Sequence, residues 1–108
     1  MDGLKVYIAG PISGDPDYER KFNQVEEKLN EIGYCAVNPI YGNEKRKDWT
    51  YKQYIDRGLQ LLMDCDYICI TDVWIKSKGL EAETAYADAV GIPKLYAIES
   101  SNGEWTIS

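Results

Sequence analysis

The sequence predicts an α/β fold, a flavodoxin-like (Rossmann-like) doubly wound parallel sheet of about four strands in the order 2-1-3-4. Two observations lead there. Short apolar, β-branched runs (Leu4–Ala9, Tyr34–Val37, Tyr67–Thr71 and Lys94–Ile98) alternate with longer stretches whose apolar residues recur every three or four positions. Gly or Pro punctuates most of the junctions between them. Strands separated by helical crossovers pair in parallel, because each crossover carries the chain back to the same end of the sheet.

Leu4–Ala9 is the first strong strand and is predicted to be central. Gly10-Pro11-Ile12-Ser13-Gly14 follows as a tight loop. Asp15-Pro16-Asp17 then supplies an N-cap and a Pro near the first helical position. That helix runs to about Ile32, with Phe22, Val25, Leu29 and Ile32 on one face, and Gly33 closes it. Tyr34–Val37 forms the second strand, and Asn38-Pro39 ends it. Ile40 to Trp49 is a polar loop, long enough to be a functional excursion. A second helix spans Thr50 to about Cys65, with Tyr54, Ile55, Leu61 and Leu62 facing inward and Gly58 in its middle. Tyr67–Thr71 is the most apolar run and reads as a buried strand. After a short polar loop a third helix opens near Gly79 and ends near Gly91. Lys94–Ile98 is the last strand, and Glu99–Ser108 reads as a polar tail apart from Trp105 and Ile107.

With 108 residues the chain has the size of one domain, 1–108. Its net charge of −6 and pI of about 4.6 argue against a nucleic-acid polymer as partner, since phosphate backbones need clustered Lys and Arg. Lys45-Arg46-Lys47 is a basic cluster, but Glu44 and Asp48 flank it. A small anion remains compatible with this charge, because backbone amides bind anions. Three Cys, an odd number in strand-like contexts, argue against a disulfide framework; Cys35 and Cys69 read as small hydrophobes. The absence of His removes Ser-His and Cys-His catalysis and the commonest zinc ligand. No apolar run is long enough to span a membrane or act as a signal peptide, so the chain reads as cytoplasmic and without a membrane partner.

In doubly wound sheets, ligands bind beyond the carboxyl ends of the strands, where the strand order reverses. Here that rule selects the loop Gly10–Gly14 after strand 1 and Thr71–Gly79 after strand 3. The second loop leads into Glu81 and Glu83, both expected in the first turn of the third helix. There the free N–H groups would favour an ionised carboxylate. Tyr7 is either a core tyrosine or, with its phenol toward the crevice, a donor to a carboxylate on that helix. Gly10, Pro11, Ser13 and Gly14 could wrap a phosphate. Tyr41, Trp49 and Trp74 are loop aromatics that could stack on a base or cap a core edge.

The combination Tyr7-Ile-Ala-Gly-Pro11, Leu62-Met-Asp-Cys-Asp66, Trp74-x-x-Ser77 and Ser77-x-Gly79-x-x-x-Glu83 with Ala87 resembles the nucleoside 2-deoxyribosyltransferase-like superfamily. The likeness is greatest to its short, phage-type members of unknown function, relatives of the nucleoside 5′-monophosphate N-glycosidases. It spans strand 1 to strand 4. The resemblance implies N-glycosidic cleavage or transfer on a nucleotide or nucleoside, with no metal or redox cofactor. It implies that Glu83 is the nucleophile, that Tyr7 holds it, and that Glu81 is only a helix-starting acid. Ser77 stands where the nucleotide N-hydrolases carry a Ser that contacts a 5′-phosphate; Gly10–Gly14 would complete that site, with Gly79, Trp49 and Asp72 as further substrate contacts. The resemblance also implies a homodimer or larger homo-oligomer, which Trp105 and Ile107 in the tail would suit. One position departs from the pattern. The family carries an Asp eight residues before the Asp that opens strand 3, and here that position is Gly58. Asp56, roughly 200° away around a helix, is the candidate replacement, with Asp72 a second candidate acid for the leaving base. Arg20 and Arg57 are the candidates to supply positive charge to the phosphate. Two further readings stand beside this one: a non-catalytic nucleotide-binding module on the same fold, and a purely structural α/β domain.

Overall fold

A computed structural model describes residues 3–12, 15–40, 50–72, 75 and 77–108, without the side chains of Tyr51 and Tyr54. Its elements run β1 (Lys5–Ala9), α1 (Tyr18–Glu31), β2 (Cys35–Val37), α2 (Tyr51–Met63), β3 (Tyr67–Thr71), α3 (Lys78–Val90), β4 (Lys94–Glu99) and β5 (Trp105–Ile107). The sheet order is β2-β1-β3-β4-β5. β1 pairs in parallel with β2 and β3, β3 in parallel with β4, and β5 antiparallel with β4. The architecture is mixed α/β, with a mostly parallel five-stranded sheet.

The period of a strand divides the core in two. In β1, Val6 and Ile8 enter one buried cluster while Tyr7 and Ala9 enter the other. In β3, Cys69 joins the first and Ile68 and Ile70 the second. Phe22, Val25 and Leu29 of α1 cover the first face. Leu62 of α2 and Leu80 and Ala87 of α3 cover the second. Both central strands are therefore apolar on both sides, which is why Tyr67–Thr71 reads as an unbroken hydrophobic run. Each large aliphatic side chain buried in this way contributes about 1.5–3 kcal/mol.

The fifth strand was not expected. The tail turns back through Ser100–Gly103, where the Ser100 N–H donates to Glu104 O at 2.8 Å and Gly103 takes φ 86°. Trp105 is 8% exposed and packs in the α1-side cluster, and its indole N–H donates to Gln24 Oε1 at 2.8 Å. The reading of Trp105 as a tail residue suited to a partner gives way to one in which it covers the chain's own α1. Cys35 also departs from expectation. It lies exposed on the edge strand β2, whereas Cys69 is buried, and all three thiols are free.

Helix boundaries follow local chemistry. At α1, the Asp15 carboxylate accepts the Asp17 N–H at 2.9 Å, which holds Pro16 in a turn and delays the helix to Tyr18. Thr50 and Gln53 form a reciprocal capping box on α2. Ser77 caps α3 and Gly91, at φ 83°, ends it. Among the described residues, no helix is long and apolar enough to cross a membrane.

Candidate active site

Tyr7, Gly58 and Glu83 come from three elements and meet at one point. Strand alternation turns Tyr7 toward α2 and α3, where it is 1% exposed. Its phenol donates a short hydrogen bond to Glu83 Oε2. Gly58, in the middle of α2, faces both groups. A Cβ placed on it would lie 2.8 Å from Glu83 Oε2 and 2.8 Å from the Tyr7 hydroxyl. Gly58 is thus the space that lets phenol and carboxylate meet against α2, and an Asp there would have to displace them.

Burial dominates the electrostatics of the pair. The Glu83 residue keeps some exposure, but its carboxylate end lies against Tyr7 and Gly58. Loss of water pushes its pKa up to about 7, and the hydrogen bond from Tyr7 only partly opposes this. The Tyr7 phenol is held well above its ordinary value, first by burial and then by the neighbouring Glu83. This corrects the expectation that a helix N-terminus keeps Glu83 ionised. α3 begins at Lys78, so Glu81 is the acid of its first turn and lies exposed, while Glu83 falls in the second turn. The field of a helix end fades within one turn.

Asp56 does not join the pair. It lies on the solvent side of α2, 49% exposed at its side chain, and bonds Lys52 Nζ at 2.7 Å. Two residues of helix turn it away from the direction in which Gly58 looks. Arg57 is likewise exposed. Arg20 is engaged by Asp17 and by Glu99 at 2.7 Å each, and so fastens α1 to β4.

The crevice loops leave β1 and β3 side by side, where Ala9 pairs with Ile70. Pro11 is buried, and Gly10 touches β3 so closely that a Cβ would stand 2.0 Å from Thr71 Oγ1 and 3.2 Å from Phe22 Cε1. Asp72 is 7% exposed and takes φ 46°, a left-handed conformation uncommon for residues with a side chain but one that Asp and Asn adopt more readily than most. Ser77 accepts the Leu80 N–H on its hydroxyl oxygen at 3.5 Å, and Gly79 lies in the first turn of α3, partly exposed. Ser13, Gly14, Tyr41, Trp49, Tyr54, Trp74 and the cluster Lys45-Arg46-Lys47 lie outside the described residues or side chains.

Two residues at the crevice escaped sequence reasoning. Lys21 bonds Asp15 Oδ2 and Asp72 Oδ2, each at 3.0 Å. Its one sequence signal is its place beside Phe22 at the edge of the apolar stripe. Thr71 carries a buried hydroxyl with no hydrogen-bond partner among the described residues. Among the described residues, no group of three or more His, Cys, Asp or Glu is placed to hold a metal ion.

The arrangement pairs one carboxylate, its pKa raised by burial to about 7, with one phenol. Comparison with curated proteins finds no match. A family model does match, over residues 4–96, a span that contains Tyr7, Gly58, Glu83 and both crevice loops; the chain belongs to the DUF4406 family, a domain of unknown function.

Proposed function

We propose that the chain cleaves or transfers the N-glycosidic bond of a (deoxy)nucleoside 5′-monophosphate or nucleoside. Glu83 serves as the nucleophile and forms a covalent glycosyl intermediate. The observation that carries this reading is the partly buried hydrogen bond from Tyr7 to Glu83, on the two positions that resemble the nucleophile and its holder in nucleoside 2-deoxyribosyltransferase-like proteins. The sheet order, with a parallel core and ligand loops at the β1–β3 reversal, supports placing the fold in the flavodoxin-like, doubly wound class. The same resemblance supports a homodimer or larger homo-oligomer.

A Glu83 oxygen attacks the anomeric carbon as the C–N bond breaks, and the base leaves with that electron pair. Tyr7 keeps the other oxygen in place. A glycosyl ester forms, and water or a second base then attacks the same carbon and frees the carboxylate. The departing base takes a proton from water, and Asp56, held by Lys52 on the solvent side of α2, does not supply it. Ser77 supports a monophosphate substrate. Its oxygen already accepts from Leu80, which leaves the hydroxyl proton free to donate to a phosphate oxygen.

The test is a panel of ribo- and deoxynucleosides and their 5′-monophosphates, analysed by chromatography for free base. The wild type releases base from at least one member, and Glu83→Ala releases none. No release from any member by folded protein would overturn the reading. Gly58 favours a second one, a non-catalytic nucleotide-binding module, because it stands where the catalytic relatives are expected to hold an acid. Calorimetry that finds tight nucleotide binding with no turnover, unaltered in Glu83→Gln, would select it.

A further inference from the structure

We propose that Lys21 is a clamp whose ammonium ties the approach to α1, through Asp15, to the end of β3, through Asp72, so that the two segments open and close together. It reaches each carboxylate at 3.0 Å. These carboxylates belong to segments 57 residues apart, and Lys21 stands on neither. The three side chains keep 17%, 15% and 10% of their exposure, so water screens the contacts less than at an open surface. An ammonium with three donors can hold both carboxylates. The Lys21 ammonium is held above its ordinary value, first by Asp72 and then by Asp15, and stays charged at neutral pH.

Each end of the clamp is wired into its segment. The Asp15 carboxylate accepts the Asp17 N–H, and the Asp15 N–H donates to Ile12 O at 3.2 Å. On the other side the Asp72 carbonyl accepts the Ile75 N–H at 2.9 Å, in the turn that leads to Ser77, the cap of the helix carrying Glu83. Asp72 holds its left-handed backbone while its side chain is anchored to Lys21. Without the ammonium, two poorly hydrated carboxylates would face one another, and repulsion would separate the two segments. The clamp also settles the use of Lys21. With two carboxylates on one ammonium its surroundings carry net negative charge, so Lys21 orders the site and does not serve as the cation for a phosphate.

Hydrogen exchange on the unliganded protein tests this without reference to any substrate. Asp72→Asn weakens one end of the clamp, and the amide of Asp15, on the far segment, then exchanges about tenfold faster. Lys21→Met accelerates the Asp15 and Ile75 amides together, while the core amides of Tyr34 and Ile68 keep their protection. If Asp72→Asn speeds Ile75 alone and leaves Asp15 within about twofold of the wild type, the segments are not coupled and the proposal is overturned. Asp72→Asn decides the matter even where Lys21→Met fails to fold. The nucleotide reading is tested separately by base release, so its failure would leave this result standing.

Discussion

Glu83→Gln is expected to stabilise the protein at alkaline pH and to do little in mild acid. The ordinary carboxyl value is 4.5, and burial between α2, β1 and α3 raises it to about 7 in the folded state. The folded chain thus binds the Glu83 proton more tightly than the unfolded chain. Stability from this group is complete below about pH 4.5 and is lost as pH rises, until little remains above about pH 7. The difference of about 2.5 pH units corresponds to about 3 kcal/mol at its limit. For a domain of this size that equals about 10–20 °C in Tm. Gln keeps an oxygen to accept the Tyr7 phenol and carries no charge to bury. Guanidinium unfolding of wild type and variant, from pH 5 to pH 8.5, would show the wild type losing stability across the range while the variant stays nearly level. Other groups act outside this window. Asp15, Asp17 and Glu99 have lowered values, so their stabilisation is lost only as pH falls below the carboxylate range. The buried thiols of Cys65 and Cys69 are pushed up to about 11 and about 12. Parallel pH profiles for wild type and Glu83→Gln would refute the claim that Glu83 is a buried carboxyl titrating near neutrality.

Three more outcomes follow from the same geometry. Gly58→Ala, which in an open helix would stabilise by about 1 kcal/mol, is expected to cost about 1–3 kcal/mol in denaturant unfolding, because the new methyl group meets Tyr7 and Glu83 at 2.8 Å. Thr71→Val removes a buried hydroxyl that has no partner among the described residues and is expected to be neutral or to stabilise by up to about 1 kcal/mol; a clear loss of stability would reveal a partner for the hydroxyl. Gly10→Ala brings a methyl group to 2.0 Å from Thr71 Oγ1 and should lower Tm sharply, with partial rescue in the Gly10→Ala, Thr71→Ala double variant.

Much of the fold was legible because periodicity and punctuation agree. The alternation of Val6 and Ile8 against Tyr7 and Ala9, the Phe22–Val25–Leu29 stripe and the Gly91 stop each predict the element that forms. The strand β5 was missed because Trp105–Ile107 is three residues long, although Asn102-Gly103 ahead of it is a hairpin signal. Asp56 was open to correction by helix phase alone, since Gly58 and Asp56 cannot face the same neighbour. Three facts depend on packing between distant segments, which no local pattern encodes: the depth of the Glu83 carboxylate, the Lys21 bridge across 51 residues to Asp72, and the burial of the Thr71 hydroxyl. The expected ionised Glu83 followed from its nearness to a helix start, an argument that holds for Glu81 and stops one turn later.

The central claim is that Glu83 attacks a sugar carbon. Intact-protein mass measured within seconds of mixing with a substrate that yields free base tests it most directly. The account predicts an added mass equal to the sugar phosphate or sugar, located to the peptide that holds Glu83 and absent from Glu83→Gln, which also releases no base. Base release that continues in Glu83→Gln, with no adduct on the wild type, would contradict it.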